Sequence, residues 1–265
     1  MVSEDVKLYG VCRVSVASIF SLPDNNAPML SQALFGERLL IIRQKDKNWV
    51  RVKCLWDDII GWVSPLHLFI SEKVKEEDNF NCEAFSLELI HGLHSNQMTI
   101  PICIGSNLPK CDGINVRLPF GKFQFNGQII NLQQTVNSKV LLSKIAMRYL
   151  HAPFLKGGRS ILGIDSPALV QMAFKMIGIT LPRTAERQSE YGDDIGFAAH
   201  SEVGDVAFFM NKSNEIDHVG FVIEPMKIIH VHGRVKIDQL DNQGIYDLET
   251  KRYTYKLRTI RRILK

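Results

Sequence analysis

The second half of this chain contains no cysteine. All five cysteines precede residue 112, at Cys12, Cys54, Cys82, Cys103 and Cys111. Their number is odd and no two lie in C-x-x-C spacing, which argues against a disulfide framework and against a cysteine zinc site. We therefore predict buried, reduced thiols in the first half. Because the second half has no cysteine, no thiol there can act as a nucleophile or as a metal ligand.

The sequence also lacks a long apolar run, a signal-peptide start and a large net charge. No run reaches about 18 apolar residues, so no membrane-spanning helix is predicted. Residues 1–10 are polar and acidic, which predicts a cytoplasmic protein, and a periplasmic or cell-surface location is the alternative if a signal peptide once preceded this start. The formal charge of +4 gives no broad field for nucleic acid.

Length and hydrophobic content predict more than one domain. A chain of 265 residues that is 45% hydrophobic can form two or three small cores. Short β-patterned runs alternate with turns from Tyr9 to Leu68, which predicts a small barrel of about five strands over residues 1–70. Turn-rich stretches flank further β-like runs over residues 71–137, which we interpret as a second, degenerate SH3-like β domain.

The spacing of apolar residues changes near Ser138. Apolar residues recur at helical spacing from Val140 to Leu150, and a second helix is predicted from Ser166 to Ile177. Strand-like runs fill the rest of the chain. Helices followed by antiparallel strands predict an α+β domain over residues 138–265.

The last fifteen residues contain seven lysines or arginines. Tyr253, Tyr255 and Leu257 alternate there with polar residues. We interpret this segment as a strand with a solvated basic face rather than as a binding tail.

Short motifs in both halves occur in a recognisable order. The C-terminal motifs are Gly157-Gly158, Asp165-Ser166, Leu181-Pro182-Arg183, Gln188, Gly204-Asp205-Val206, Phe208-Phe209, His218-Val219-Gly220 and Ile229-His230. Their order resembles the NlpC-type murein peptidases, which have a papain-like fold. The N-terminal motifs Gly36-Glu37, Asn48-Trp49-Val50-Arg51 and Gly61-Trp62-Val63 resemble a bacterial SH3-like domain. The combination is similar to the subgroup of γ-D-glutamyl-L-diamino acid endopeptidases, which trim murein peptides.

The resemblance implies a set of site residues. In that family a cysteine at the N-terminus of the central helix attacks an amide carbon as a thiolate, which the helix dipole stabilises. A histidine on a strand takes the proton, and a polar residue on the next strand orients the ring. Here His218 matches the base, His230 matches the orienting residue, and Ser166 occupies the nucleophile position. Asp165 matches a residue that binds the substrate amine.

Several residues depart from the family pattern. Ser166-Pro167-Ala168 stands where the family has Cys-Ser-Gly, and Lys156-Gly157-Gly158 stands where it has Trp-Gly-Gly. Ile59 replaces a tyrosine that helps to hold the free amine of the substrate. The resemblance places Lys156, Pro167 and Ile59 among the substrate-binding positions, so recognition of the usual peptide is not implied.

Structural interpretations stand beside the functional ones. A serine N-cap followed by proline is a favourable helix start, so Ser166 can be a cap. Asp165 can interact with the helix dipole, and His218 and His230 can be buried, hydrogen-bonded core residues. His232 shares a face with His230, but no carboxylate or cysteine at ligand spacing accompanies them, so no metal site is predicted.

These observations favour a catalytically inactive relative of the peptidases. An alcohol has a pKa far above the value of about 8.5 for a free thiol, and a helix dipole worth about 0.3–1 kcal/mol cannot generate an alkoxide. We expect the protein to bind a murein-derived peptide, another peptide or glycan, or another protein, without a cofactor. The alternative is an active amidase with Ser166 as nucleophile, His218 as base and His230 as orienting residue.

Overall fold

The structure is a computed structural model that describes residues 7–72, 84–133 and 139–264. The chain divides into two units, Met1–Thr135 and Val136–Lys265. This boundary falls close to the point at which the spacing of apolar residues changes in the sequence. In the described part of the chain, no helix combines the length and the apolar character needed to cross a membrane.

The first sheet of the N-terminal unit has seven strands, two more than expected. Buried residues alternate with more exposed ones along Val16–Phe20 and Val50–Cys54, which is the pattern of strands with one face on a core. The strands are β1 (Leu8–Cys12), β2 (Val16–Phe20), β3 (Met29–Leu34), β4 (Arg38–Gln44), β5 (Val50–Cys54), β6 (Ile60–Val63) and β7 (Leu68–Ser71). They are antiparallel in the order β3-β2-β6-β5-β4-β1-β7.

The second group of strands in this unit forms two smaller sheets. Its strands are β8 (Ala84–Ser86), β9 (Ile90–His94), β10 (Thr99–Cys103), β11 (Asn115–Leu118), β12 (Gly121–Gln124) and β13 (Ile129–Asn131). The sheets have the orders β10-β9-β12-β11 and β13-β8. Tyr9 and Phe35 of the first group pack in one core with Leu93, Ile102 and Phe125 of the second. The two groups therefore share a core, and the division near residue 70 stays a prediction.

The cysteines are free thiols where the structure describes them. Cys12, Cys54 and Cys103 are buried and Cys111 is half-buried, whereas Cys82 lies outside the described residues. Burial raises the pKa of Cys12 to about 12. The buried thiols are therefore unreactive, as expected for core residues.

The C-terminal unit combines three helices with a closed set of strands. The helices are α1 (Lys139–Met147), α2 (Ser166–Lys175) and α3 (Ala185–Gln188). The strands are β14 (Arg159–Ser160), β15 (Gly163–Ile164), β16 (Asp193–Asp194), β17 (Val206–Met210), β18 (Ile216–Glu224), β19 (Lys227–His232), β20 (Arg234–Leu240), β21 (Gly244–Asp247) and β22 (Arg252–Arg262). The main sheet has the order β16-β22-β17-β18-β19-β20-β21, and β21 also pairs with β22, so six of its strands close into a barrel.

Helix α2 is the central element of this unit. It packs against α1 on one side and against β18 and β19 on another. All of its residues except Pro167 are buried, which is typical of a helix that is covered all round. The helix that the sequence predicts over 166–177 is thus present and ends at Lys175.

Candidate functional site

The N-terminus of α2 is capped by Asp165, not by Ser166. The Asp165 carboxylate accepts a hydrogen bond from the Ala168 N–H at 3.0 Å, and Ser166 and Pro167 are the first two helical residues. The predicted serine cap is therefore wrong by one position, because a carboxylate makes a charge-assisted bond at the positive end of the helix dipole. The Ser166 side chain has no capping role and is only 5% exposed.

The Asp165 carboxylate is held by four donors. Arg183 makes two parallel bonds to it, of 2.9 Å from Nη1 and 2.8 Å from Nη2. The Gly157 N–H donates to Oδ2 at 2.8 Å, in addition to the capping bond from Ala168. Both partners of the ion pair are buried. This arrangement favours the structural interpretation of Asp165, since the carboxylate already has an ionic partner, and its role in binding a substrate amine stays a prediction.

The other predicted substrate-binding residues lie in three different places. Lys156 is exposed in the loop before Gly157-Gly158, and this loop approaches β15 closely, since a Cβ on Gly158 would lie 2.3 Å from the Gly163 carbonyl oxygen. Pro167 is half-buried, and its carbonyl accepts a 3.0 Å bond from Gln188 Nε2. Ile59 belongs to the N-terminal unit and packs on the core of the first sheet.

The two predicted histidines project from one face of the barrel sheet. Gly220 on β18 pairs with His230 on β19, and His230 pairs with Lys236 on β20. Because side chains at directly paired and alternate positions share a face, His218, His230 and Asp238 lie together. Gly220 permits this packing, since a Cβ there would lie 2.8 Å from the Cβ of His230.

A chain of hydrogen bonds joins these three side chains. His218 Nε2 lies 3.0 Å from His230 Nδ1, and His230 Nε2 lies 2.9 Å from Asp238 Oδ2. His230 and Asp238 are fully buried and His218 is 5% exposed. The prediction placed an orienting residue next to a base, and the structure extends this pair by a carboxylate that the prediction did not include.

The hydrogen-bond chain determines which ring nitrogens carry protons. The ionised Asp238 can only accept, so His230 Nε2 carries a proton and, in the neutral ring, Nδ1 is an acceptor. His218 Nε2 must then donate to that acceptor, which leaves His218 Nδ1 without a proton. Among the described residues, Nδ1 of His218 has no hydrogen-bond partner. A lone pair on this nitrogen is what a general base needs.

Burial keeps the two imidazoles neutral. Desolvation lowers the pKa of His218 well below its usual value, and the neighbouring His230 and His232 lower it further. Desolvation also lowers the pKa of His230, although the hydrogen bond to Asp238 acts in the opposite direction. A protonated His218 is therefore strongly disfavoured.

Helix α2 is in contact with the histidine-bearing strands β18 and β19. No hydrogen bond in the described ranges joins the Ser166 hydroxyl to His218 or His230. The structure thus places the predicted nucleophile position and the predicted base on packed elements. It does not show a formed nucleophile–base pair.

Two family models match the chain. The one described as the NlpC/P60 family covers residues 151–254, and the one described as the bacterial dipeptidyl-peptidase Sh3 domain covers residues 19–68. The C-terminal unit is an NlpC/P60 domain. The predicted family and fold class are thereby confirmed.

Solved NlpC/P60 structures share the fold. An NlpC/P60 family protein from Bacillus cereus is 19% identical with a TM-score of 0.80, and the match covers 97% of this chain and all of that one. An NlpC/P60 endopeptidase from Photobacterium damselae subsp. piscicida is 16% identical with a TM-score of 0.68, and the match covers 95% of this chain and 70% of that one. No curated protein matches the chain.

The NlpC/P60 domain contains a buried ion network behind His230 that the sequence did not reveal. Lys236 Nζ lies 3.2 Å from Asp238 and 2.8 Å from Asp247. Burial would lower the pKa of Lys236, but hydrogen bonds to both carboxylates raise it overall. Burial raises the pKa of Asp238, yet bonds from His230 and the Leu248 N–H lower it overall. The network therefore keeps Asp238 ionised behind His230.

His232 takes part in a different contact. It lies on the same face as His230, as predicted, with ring centroids 6.5 Å apart. Its Nδ1 is hydrogen-bonded to the Tyr255 hydroxyl at 2.9 Å. The described ranges contain no group of three His, Cys, Asp or Glu side chains arranged to hold a metal ion.

Proposed function

We propose that this NlpC/P60 relative binds a murein-type peptide and does not hydrolyse it. The observation that carries the proposal is the combination of an alcohol at the start of α2 with a buried histidine whose lowered pKa makes it a weak proton acceptor. A family nucleophile at this position works as a thiolate, and Ser166 cannot form the corresponding anion near neutral pH.

The proton balance of acyl transfer explains the expected loss of activity. For Ser166 to attack an amide carbon, its proton must move to His218 as the new bond forms. Burial lowers the pKa of His218, so the resulting imidazolium is unfavourable. A helix dipole worth about 0.3–1 kcal/mol does not compensate for this cost.

The ligand class rests on family membership and on the altered loop. NlpC/P60 proteins act on peptidoglycan, and the resemblance to γ-D-glutamyl-L-diamino acid endopeptidases narrows the ligand to a murein peptide. Lys156 replaces an aromatic residue with an exposed cation, which favours an acidic group on the ligand at that position. The γ-D-glutamyl residue of a murein peptide supplies such a carboxylate.

Calorimetry with L-Ala-γ-D-Glu-diaminopimelate tests this proposal, with mass spectrometry of the same samples after prolonged incubation. We expect saturable binding with intact peptide. Lys156→Gln should weaken binding, and Lys212→Gln, which removes a lysine from the turn between β17 and β18, is the matched control. Cleavage that disappears in Ser166→Ala, or an absence of binding by the wild-type protein, would contradict the proposal.

A serine amidase is the second candidate, and one observation favours it. The chain from His218 through His230 to Asp238 is complete, and it presents an unprotonated Nδ1. A serine-directed fluorophosphonate should label Ser166 if this chain activates the hydroxyl. Absence of the label, together with no hydrolysis of a panel of γ-glutamyl peptides, would remove this candidate.

A further inference from the structure

Tyr255 on β22 covers one face of the His218 ring. The two rings are parallel to within 5° and their centroids are 3.7 Å apart. The Tyr255 ring also meets His230 nearly edge-on, at a centroid distance of 6.0 Å. Its hydroxyl is hydrogen-bonded to His232 Nδ1 at 2.9 Å. One tyrosine therefore contacts all three histidines of β18 and β19.

We infer that Tyr255 is a positioning residue that fixes the ring plane of His218 and shields the His218–His230 hydrogen bond from water. The His218 ring has Tyr255 against one face, and Phe209 lies near it at a centroid distance of 5.8 Å. Rotation of the imidazole about its χ2 angle would drive it into the tyrosine, so the stacked ring holds Nε2 toward His230.

The position of Tyr255 on its strand makes it a stable cover. Tyr255 pairs with Ile245 of β21 and packs on the barrel core with Leu257. Its hydroxyl is hydrogen-bonded to the exposed His232. The ring is therefore held at one end by the core residues and at the other end by this hydrogen bond. An aromatic ring with a polar tip suits a boundary between core and solvent.

If Tyr255 only filled space in the core, its replacement would have different effects from those expected for a positioning residue. A core role requires only apolar volume at residue 255, which leucine supplies in part. A positioning role requires a flat ring, which phenylalanine keeps and leucine lacks. The inference depends on the proposed function only in taking His218 as the base position, and its test needs no turnover.

Chemical modification of the full-length protein by diethyl pyrocarbonate, followed by peptide mass spectrometry, measures access to each histidine. In the wild type we expect fast modification of His232 and slow modification of His218. Tyr255→Leu should accelerate modification of His218 by about tenfold or more, as expected for loss of local protection. Tyr255→Phe should leave that rate within about twofold of the wild type. Tyr253→Leu on the same strand, which removes an exposed ring, is the matched control and should have no effect.

Proton NMR of the imidazole N–H groups gives a second measurement that needs no variant. The shielded His218 Nε2–H should exchange slowly enough with water to be observed in the wild type. Fast exchange of this proton, or an unchanged modification rate in a folded Tyr255→Leu protein, would overturn the inference. Detection of peptide cleavage would refute the proposed function but would not affect the inference that Tyr255 positions and shields His218.

Discussion

The predicted nucleophile side and the predicted base side of the candidate site differ in how their side chains are held. At the start of α2, the resemblance predicts that a cysteine, the two residues after it and a loop tryptophan are replaced, and within the described ranges the Ser166 hydroxyl has no hydrogen bond to His218 or His230. On β18 and β19, both histidines are present and belong to a chain that continues to Asp238. The base side is therefore a buried, hydrogen-bonded network, whereas the hydroxyl at the helix start lies outside this network.

Burial explains this difference without invoking catalysis. His230, Asp238 and Lys236 lie in the barrel interior, where each is a hydrogen-bond partner of the next. Removing one member takes a buried hydrogen-bond partner from each of its neighbours, which is strongly destabilising. Within the described ranges, the Ser166 hydroxyl has no hydrogen bond to this network, so residue 166 can vary without a comparable cost. The presence of these histidines is thus evidence for a folded barrel and not, by itself, for an active enzyme.

The largest expected effect is on the base side. Asp238→Ala should destabilise the C-terminal unit by about 3–5 kcal/mol, because His230 and Lys236 lose a buried partner. Thermal unfolding followed by far-ultraviolet circular dichroism measures this. All three tryptophans lie in the N-terminal unit, so their fluorescence follows that unit separately. Glu224→Ala, which removes an exposed carboxylate, is the control and should change the free energy of unfolding by less than about 1 kcal/mol. An equally small change in Asp238→Ala would contradict the burial explanation.

The ion pair at the start of α2 should give the next largest effect. Arg183→Met should cost about 3 kcal/mol, because Asp165 stays buried with only backbone donors. In a double-mutant cycle, Arg183→Met with Asp165→Asn should be less destabilising than the sum of the two single changes. Lys53→Met, which removes an exposed ion pair with Asp58, is the control. Strict additivity of the two changes would show that the pair does not anchor the helix start.

A smaller effect is expected on the pH dependence of stability. The folded-state pKa values of His218 and His230 are lowered from the usual 6.5, so the unfolded chain binds more protons below that pH. Stability of the C-terminal unit should therefore be full above pH 6.5 and fall as the pH decreases below it. Urea unfolding across pH 5–8 measures the slope, and His232→Gln should leave most of it unchanged. A flat profile would mean that the histidines are not held neutral.

The smallest change in stability is expected at the nucleophile position. Ser166→Cys should fold like the wild type and place a thiol at the first residue of α2, where the helix dipole lowers its pKa. We expect partial labelling by iodoacetamide at neutral pH and poor turnover of murein peptide, because burial still lowers the pKa of His218 and makes it a weak proton acceptor. Peptide mass spectrometry separates this thiol from the native ones. Full turnover by the single variant would show that the alcohol at residue 166 is the sole cause of inactivity and that His218 is a competent base.

The sequence predicted the order of elements better than the contacts between them. The motif order located the family, the start of α2 and the histidine-bearing strands, because these features are local in the chain. It did not identify Asp238 or Tyr255, whose roles depend on the register of β19 with β20 and on the closure of the barrel by β22. Arg183 stood in a quoted motif, but its bond to Asp165 joins residues 18 positions apart.

The capping error has a similar origin. Serine and proline at the helix start fit the usual cap preferences, and only the side-chain geometry shows that Asp165 is the acceptor. Local preference identified the helix boundary to within one residue. The buried Arg183, a tertiary partner, accounts for the aspartate at the cap.

A single-turnover hydrolysis experiment tests the central claim most directly. The protein would be held in large excess over L-Ala-γ-D-Glu-diaminopimelate at several pH values from 5 to 9, with Ser166→Ala beside it. The account predicts that the two proteins give the same background at every pH, because His218 does not accept the proton of Ser166. Cleavage by the wild type above that of Ser166→Ala would contradict it.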